Sequence, residues 1–124
     1  MIDQAGDVFE LLWQHFARST SWRLYDDVPY ALDELRHRGL KLGIASNFDA
    51  RLLTVISGHQ ALQEFDQIFI SSAVGFSKPH PRFFETVEQS LNLPPHCLAL
   101  IGDDPVADAA GALAANWLAL QLNR

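Results

Sequence analysis

An α/β fold built on a parallel sheet of about four strands is the architecture this sequence predicts, on three observations. Short apolar runs recur at 40–46, 67–71, 98–102 and 117–122, the lengths expected of buried strands. Segments of helical periodicity lie between them, and strand alternating with helix implies parallel neighbours joined by right-handed crossovers. Turn and terminator residues fall at the junctions, at Gly39, Gly58, Gly75–Pro81, Pro94-Pro95 and Asn116.

Each element has a local reason. Residues 3–18 place Val8, Phe9, Leu12, Trp13 and Phe16 on one side of a helix at spacings of three and four, an aromatic stripe expected to cover another part of the fold. After a polar break, Asp26 or Asp27 can cap a second helix whose first turn accepts Pro29. Val28, Ala31, Leu32 and Leu35 form its inner face, and Gly39 is its left-handed terminator. Leu40–Ala45 reads as a buried strand ending at Ser46-Asn47, followed by a helix over 50–57 and a strand over Gln67–Ser71. Phe83, Phe84, Val87 and Leu91 mark a fourth helix, and Leu98–Ile101 the next strand. The Ala-rich stretch Asp104–Ala115 suits a helix lying close on a sheet, with Trp117–Leu122 as the last strand. No internal repeat or low-complexity tract interrupts this order.

Composition narrows the function. A chain of 124 residues is one domain's worth, enough to bury about two-thirds of its unfolded surface. Its net charge of −6 opposes a nucleic-acid or acidic-membrane partner, because phosphate backbones require a basic face. The densest basic run, Arg36-His37-Arg38, sits where cations offset a helix C-terminal dipole. The single cysteine, Cys97, cannot form an internal disulfide and has no Cys or His partner at metal spacing, so it reads as a half-buried structural thiol. The first residues carry neither the basic nor the apolar region of a signal peptide, and no apolar run approaches the ~20 residues of a membrane helix. A cytoplasmic location is expected.

Three segments carry chemistry. In an open parallel sheet ligands bind beyond the carboxyl ends of the strands. Ser46-Asn47 occupies one such end, and the Ser46 hydroxyl with nearby backbone N–H groups suits a phosphate oxygen, although Ser46, Asn47 or Asp49 could equally cap the next helix. Lys78 lies in a short polar loop, where an ammonium could neutralise a phosphate and a carboxylate or simply be solvated. His80 beside it needs no role beyond preceding Pro81 at a helix start. Asp103, Asp104 and Asp108 repel one another unless a cation sits among them or they cap the helix; Mg²⁺ favours such carboxylates, and Asp104 before Pro105 is the simplest cap.

In order and spacing these segments resemble the haloacid dehalogenase-like (HAD) hydrolase superfamily over nearly the whole chain. Leu42-Gly43-Ile44-Ala45-Ser46-Asn47 is similar to its second motif, Ser71–Phe84 to its third and Ile101–Ala112 to its fourth. The resemblance implies a three-layer Rossmann-like sandwich, with residues 1–22 a remnant of a helical cap and 23–124 the core. It implies Ser46 as the phosphate-binding hydroxyl, Asn47 shaping the loop and contacting ligand, and Lys78 as the charge-balancing catalytic lysine. Asp103 matches the metal-binding acid and Asp108 the second acid, while Asp104 falls at a variable position. The Gly102-Asp103 form resembles Mg²⁺-dependent phosphatases rather than metal-independent dehalogenases, implying a small phosphorylated metabolite as substrate. A phosphorylation-receiver domain places its acidic pair before its lysine; here Lys78 precedes Asp103.

The chain departs from the family at its first motif, a strand ending in Asp-x-Asp-Gly-Thr whose first Asp is the nucleophile. Upstream of Ser46, Asp3 and Asp7 precede or enter a helix and Asp26-Asp27 open another, so none has the strand context that aims a carboxylate at the site. Without that central strand, 40–46 and 98–102 are expected to close on each other or to dimerise through their exposed edges. Mg²⁺ is expected to bind weakly or not at all, and this chain alone to be inactive. The alternative is a non-catalytic module keeping the fold for anion binding or oligomerisation.

Overall fold

A computed structural model describes residues 4–124, with the backbone alone for residues 4–7. Asp3 and the Asp7 side chain therefore lie outside the described residues. The elements in chain order are α1 (Gln4–Ala17), α2 (Val28–His37), β1 (Gly43–Ser46), α3 (Arg51–Ser57), β2 (Gln67–Ile70), α4 (Ser71–Val74), α5 (Pro81–Leu91), β3 (Ala99–Gly102), a wide π-type turn (Pro105–Ala110), α6 (Gly111–Ala114) and β4 (Leu118–Gln121). This is the α/β alternation read from the sequence. Among the described residues no helix is long and apolar enough to cross a membrane.

The four strands pair two and two, β1 with β2 and β3 with β4. The β3–β4 pair is parallel, with Ala99 opposite Leu118 and Ile101 opposite Leu120. β1 and β3 thus do not close on one another as expected. Each strand instead takes the partner nearest in sequence, the usual outcome when one crossover separates them. The Lys78–Pro79 peptide bond is cis.

The chain forms two compact units, 1–44 with 48–68 and 45–47 with 69–124. In the first, α1, α2 and α3 carry the apolar faces, with Val55 and Ile56 buried on α3. The aromatic stripe of α1 is less covered than expected. Val8 is 54% exposed and Phe9 63%, while Trp13 finds a partner in Arg51, whose guanidinium lies 3.6 Å from the ring centroid. Strand β1 starts three residues later than the apolar run, and Asp66 ties its approach by accepting from Leu42 N at 2.8 Å.

The second unit holds the main core: Phe69, Phe83, Phe84, Val87, Ala112 and Trp117. Phe84 meets Trp117 edge to face at 5.1 Å and Phe83 at 5.8 Å, geometries that favour the aromatic quadrupoles. The core sits on the face of β3–β4 that carries Leu100 and Ala119. The opposite face carries Ile101, Leu118 and Leu120, which are 47%, 61% and 49% exposed. Ser71, read as the last residue of a strand, opens instead a short helix, Ser71–Val74, closed by Gly75 at φ 91°. Asn116, at φ 65°, ends α6 as expected.

Candidate functional site

Lys78 is the centre of the second unit's polar constellation. It sits in the loop between α4 and α5, where Pro79 and Pro81 prevent a continuous helix. Its ammonium donates to the Ala45 carbonyl at 2.7 Å and to Asp108 Oδ1 at 2.5 Å. The two side chains are 8% and 11% exposed, so this is a buried ion pair, with each charge compensating the other's desolvation.

Asp108 is aimed by the turn that carries it. Pro105 starts the turn and Asp104 caps it, Oδ1 accepting from Val106 N at 2.9 Å and Ala107 N at 2.8 Å. These hydrogen bonds, the Ala107 one foremost, hold the Asp104 carboxyl below its ordinary pKa. The Asp108 and Ala109 N–H groups both donate to the Asp104 carbonyl, which widens the turn and points the Asp108 side chain inward. Asp108 Oδ2 in return accepts from Asp104 N at 3.2 Å. Gly102 lines the same spot: a Cβ there would collide with the Asp108 carboxylate.

Asn47 is brought to Lys78, but through the lysine's backbone. Its Nδ2 donates to the Lys78 carbonyl at 2.9 Å and its Oδ1 accepts from Lys78 N at 2.8 Å. Ser46, half-buried at the carboxyl end of β1, has no hydroxyl partner among the described residues. It does not cap α3, whose N-cap is Ala50; Asp49 Oδ1 accepts from Arg51 N at 3.0 Å. Asp103 is exposed at the end of β3 and has no hydrogen bond or ion pair among the described residues. Asp103, Ser46 and the Lys78–Asp108 pair thus belong to one compact unit, at the carboxyl ends of β1 and β3.

Among the described residues the donor set does not complete a Mg²⁺ site. Asp108 is committed to Lys78 and Asp104 to its cap, which leaves Asp103 as the one uncommitted carboxylate of the three. Among the described residues no group of three or more His, Cys, Asp or Glu side chains is placed to hold a metal ion.

Three features were not legible as such. The Asn47–Lys78 backbone clamp and the Ala45 carbonyl contact join positions 31 and 33 residues apart, and no local pattern signals them. Gly102 could have been found, since a glycine at a strand end beside acids marks close approach. His80 caps α5, its Nδ1 accepting from Arg82 N at 3.1 Å, in keeping with the plain reading.

Comparison with known proteins identifies the family and the fold. The model of the haloacid dehalogenase-like hydrolase family matches residues 2–116. Human haloacid dehalogenase-like hydrolase domain-containing protein 3 is 34% identical over 104 residues, covering 84% of this chain and 41% of that protein. Phosphoserine phosphatase of Thermus thermophilus is 31% identical over 116 residues, covering 93% of this chain and 47% of that enzyme. The crystal structure of a HAD phosphatase from Thermococcus onnurineus superposes with a TM-score of 0.81 at 27% identity, covering 93% of this chain and 52% of that one. The chain spans about half the length of the relatives it matches. With its second, third and fourth motifs in order around Lys78, this chain belongs to the haloacid dehalogenase-like hydrolase family.

Proposed function

We propose that residues 1–124 form the phosphoryl-binding part of a phosphomonoesterase-type hydrolase and do not turn over substrate by themselves. The observation that carries this reading is the Lys78 ammonium, held between the Ala45 carbonyl and Asp108, with Ser46 the next residue of the chain after Ala45. A cation fixed in a poorly solvated place can neutralise phosphoryl oxygens without reorganising. Ser46 would add a hydroxyl donor and Asn47 its second amide N–H, since one is already given to Lys78. The relatives include both a phosphoserine phosphatase and an (S)-2-haloacid dehalogenase, and it is the Gly102-Asp103 form that favours a phosphate ester over a haloacid.

Turnover needs a nucleophile, and among the described residues no acidic residue before Ser46 stands at a strand end. Asp103 alone would hold Mg²⁺ weakly. Incubation of the purified chain with p-nitrophenyl phosphate and Mg²⁺ should therefore release no nitrophenol above the buffer rate. Robust turnover abolished by Asp103→Ala would refute the reading.

A second reading, a non-catalytic module that oligomerises, is favoured by the uncovered face of β3–β4. Ile101, Leu118 and Leu120 lie together there without a charge, beside strands that each have one unpaired edge. The occupant in this reading is a second copy of the chain.

A further inference from the structure

We propose that Asn47 is a positioning residue, which sets the Lys78 ammonium by holding the lysine's main chain; the inference rests on the reading of Lys78 as the phosphoryl-neutralising group. Both backbone polar groups of Lys78 find their partner in this one side chain, the N–H at Oδ1 and the carbonyl at Nδ2. A primary amide presents its donor and acceptor side by side, so it pairs with the residue as a neighbouring strand would. Aspartate keeps the acceptor and loses the donor, serine is too short to span both groups, and alanine offers neither.

The other end of the same lysine is held two residues earlier, within β1, where the Ala45 carbonyl accepts from Nζ. Residues 45 and 47 of one strand end therefore bracket Lys78 at its ammonium and at its backbone. Lysine is a flexible four-carbon chain with three rotatable donors, and fixing only its tip leaves the stem free to buckle. With the main chain fixed as well, the reach from backbone to Asp108 is set by the side chain's own length. The loop that carries Lys78 has one other main-chain tie of its own here, from His80 N to the Ser77 carbonyl at 2.8 Å. Asn47 is what attaches this loop's main chain to the end of β1, while Lys78 Nζ attaches its side chain. It acts on phosphate chiefly through Lys78, an effect that local sequence does not predict.

The test is read on the lysine without any turnover. In ¹⁵N-labelled chain a buried, hydrogen-bonded lysine ammonium exchanges slowly enough to give its own ¹H–¹⁵N resonance, assigned by its loss in Lys78→Met. Asn47→Ala should broaden that resonance away. It should also make the Lys78 amide exchange about tenfold faster, the change expected on losing a hydrogen bond of ordinary net worth. Asn47→Asp, which keeps one of the two bonds, should leave an ammonium signal of intermediate intensity, and it serves as the readout if the alanine variant does not fold. An unchanged ammonium resonance in Asn47→Ala, even with a lowered urea midpoint, would overturn the proposal, because it would show a merely structural side chain. Titration with inorganic phosphate separates the two readings. A wild-type Lys78 resonance that ignores phosphate refutes the functional reading, whereas the clamp stands or falls on the variants alone.

Discussion

At the scale of single residues the decisive pair is Lys78 and Asp108. Each charge is about nine-tenths buried, so removing one partner strands the other in a place water cannot reach. Lys78→Met should lower stability by about 3–5 kcal/mol in urea denaturation, the cost of an uncompensated buried charge. Lys78→Met combined with Asp108→Leu should recover much of that loss, since an apolar pair of similar size leaves no orphan. Asp49 offers a second prediction, with a pH signature. Its carboxyl is held below the usual carboxylate pKa, first by the side-chain hydrogen bond from Arg51, with Nε and Nη2 both at 2.8 Å. A folded-state pKa below the unfolded value contributes stability above the ordinary carboxylate range and loses it as pH falls through the folded value. Asp49→Asn should therefore lower the urea midpoint at pH 7 and lower it much less at pH 3.

Residue identities at this scale were largely readable. Ser46, Lys78, Asp103 and Asp108 stand in motifs whose order is unmistakable, and Asp104 before Pro105 reads directly as a cap. What each side chain does with its polar atoms was not readable. Asn47 looked like a loop-shaping ligand contact, and its engagement with Lys78 depends on a partner 31 residues away. Arg51 stacked on Trp13, 38 residues earlier, had no sequence signal at all.

At the scale of elements, the strand-to-turn unit from β3 through Ala110 is what aims the acids. A regular α-helix was expected over 104–115; the chain makes a wide turn first and a short helix after it. The Asp104 carbonyl accepting from both Asp108 N and Ala109 N sets that width. Helical periodicity cannot distinguish the two because the Ala-rich stretch packs either way. Gly102 is part of the same device, and Gly102→Ala would drive a methyl group into the Asp108 carboxylate. It should cost about 1–3 kcal/mol, as overpacking does, measured by urea denaturation. It should also shift the Lys78 ammonium resonance, since Asp108 must move. Strand boundaries moved by one to three residues from the apolar runs, as at β1, because ladder bonds rather than hydrophobicity end a strand.

At the scale of the whole molecule, the uncovered apolar surface is the feature with most consequence. Parallel strands are ordinarily buried on both faces, whereas here Ile101, Leu118 and Leu120 remain 47–61% exposed on one. The reading of an oligomerising module predicts that the purified chain elutes as a dimer in light-scattering chromatography, and that Leu120→Lys returns it to a monomer. A wild-type monomer at high concentration would dismiss that reading and leave the phosphoryl-binding one untouched.

The sequence by itself determined the α/β class, the order of elements and the family, because alternating apolar periods and three motifs in fixed order are local patterns. It also located the acids and the lysine. Only the tertiary structure decided that the strands pair two and two, that Asp108 is given to Lys78 rather than left beside Asp103, and that Asn47 grips a backbone. Those outcomes depend on which distant groups meet, and hydrogen bonds between residues thirty positions apart leave no trace in the spacing of either one.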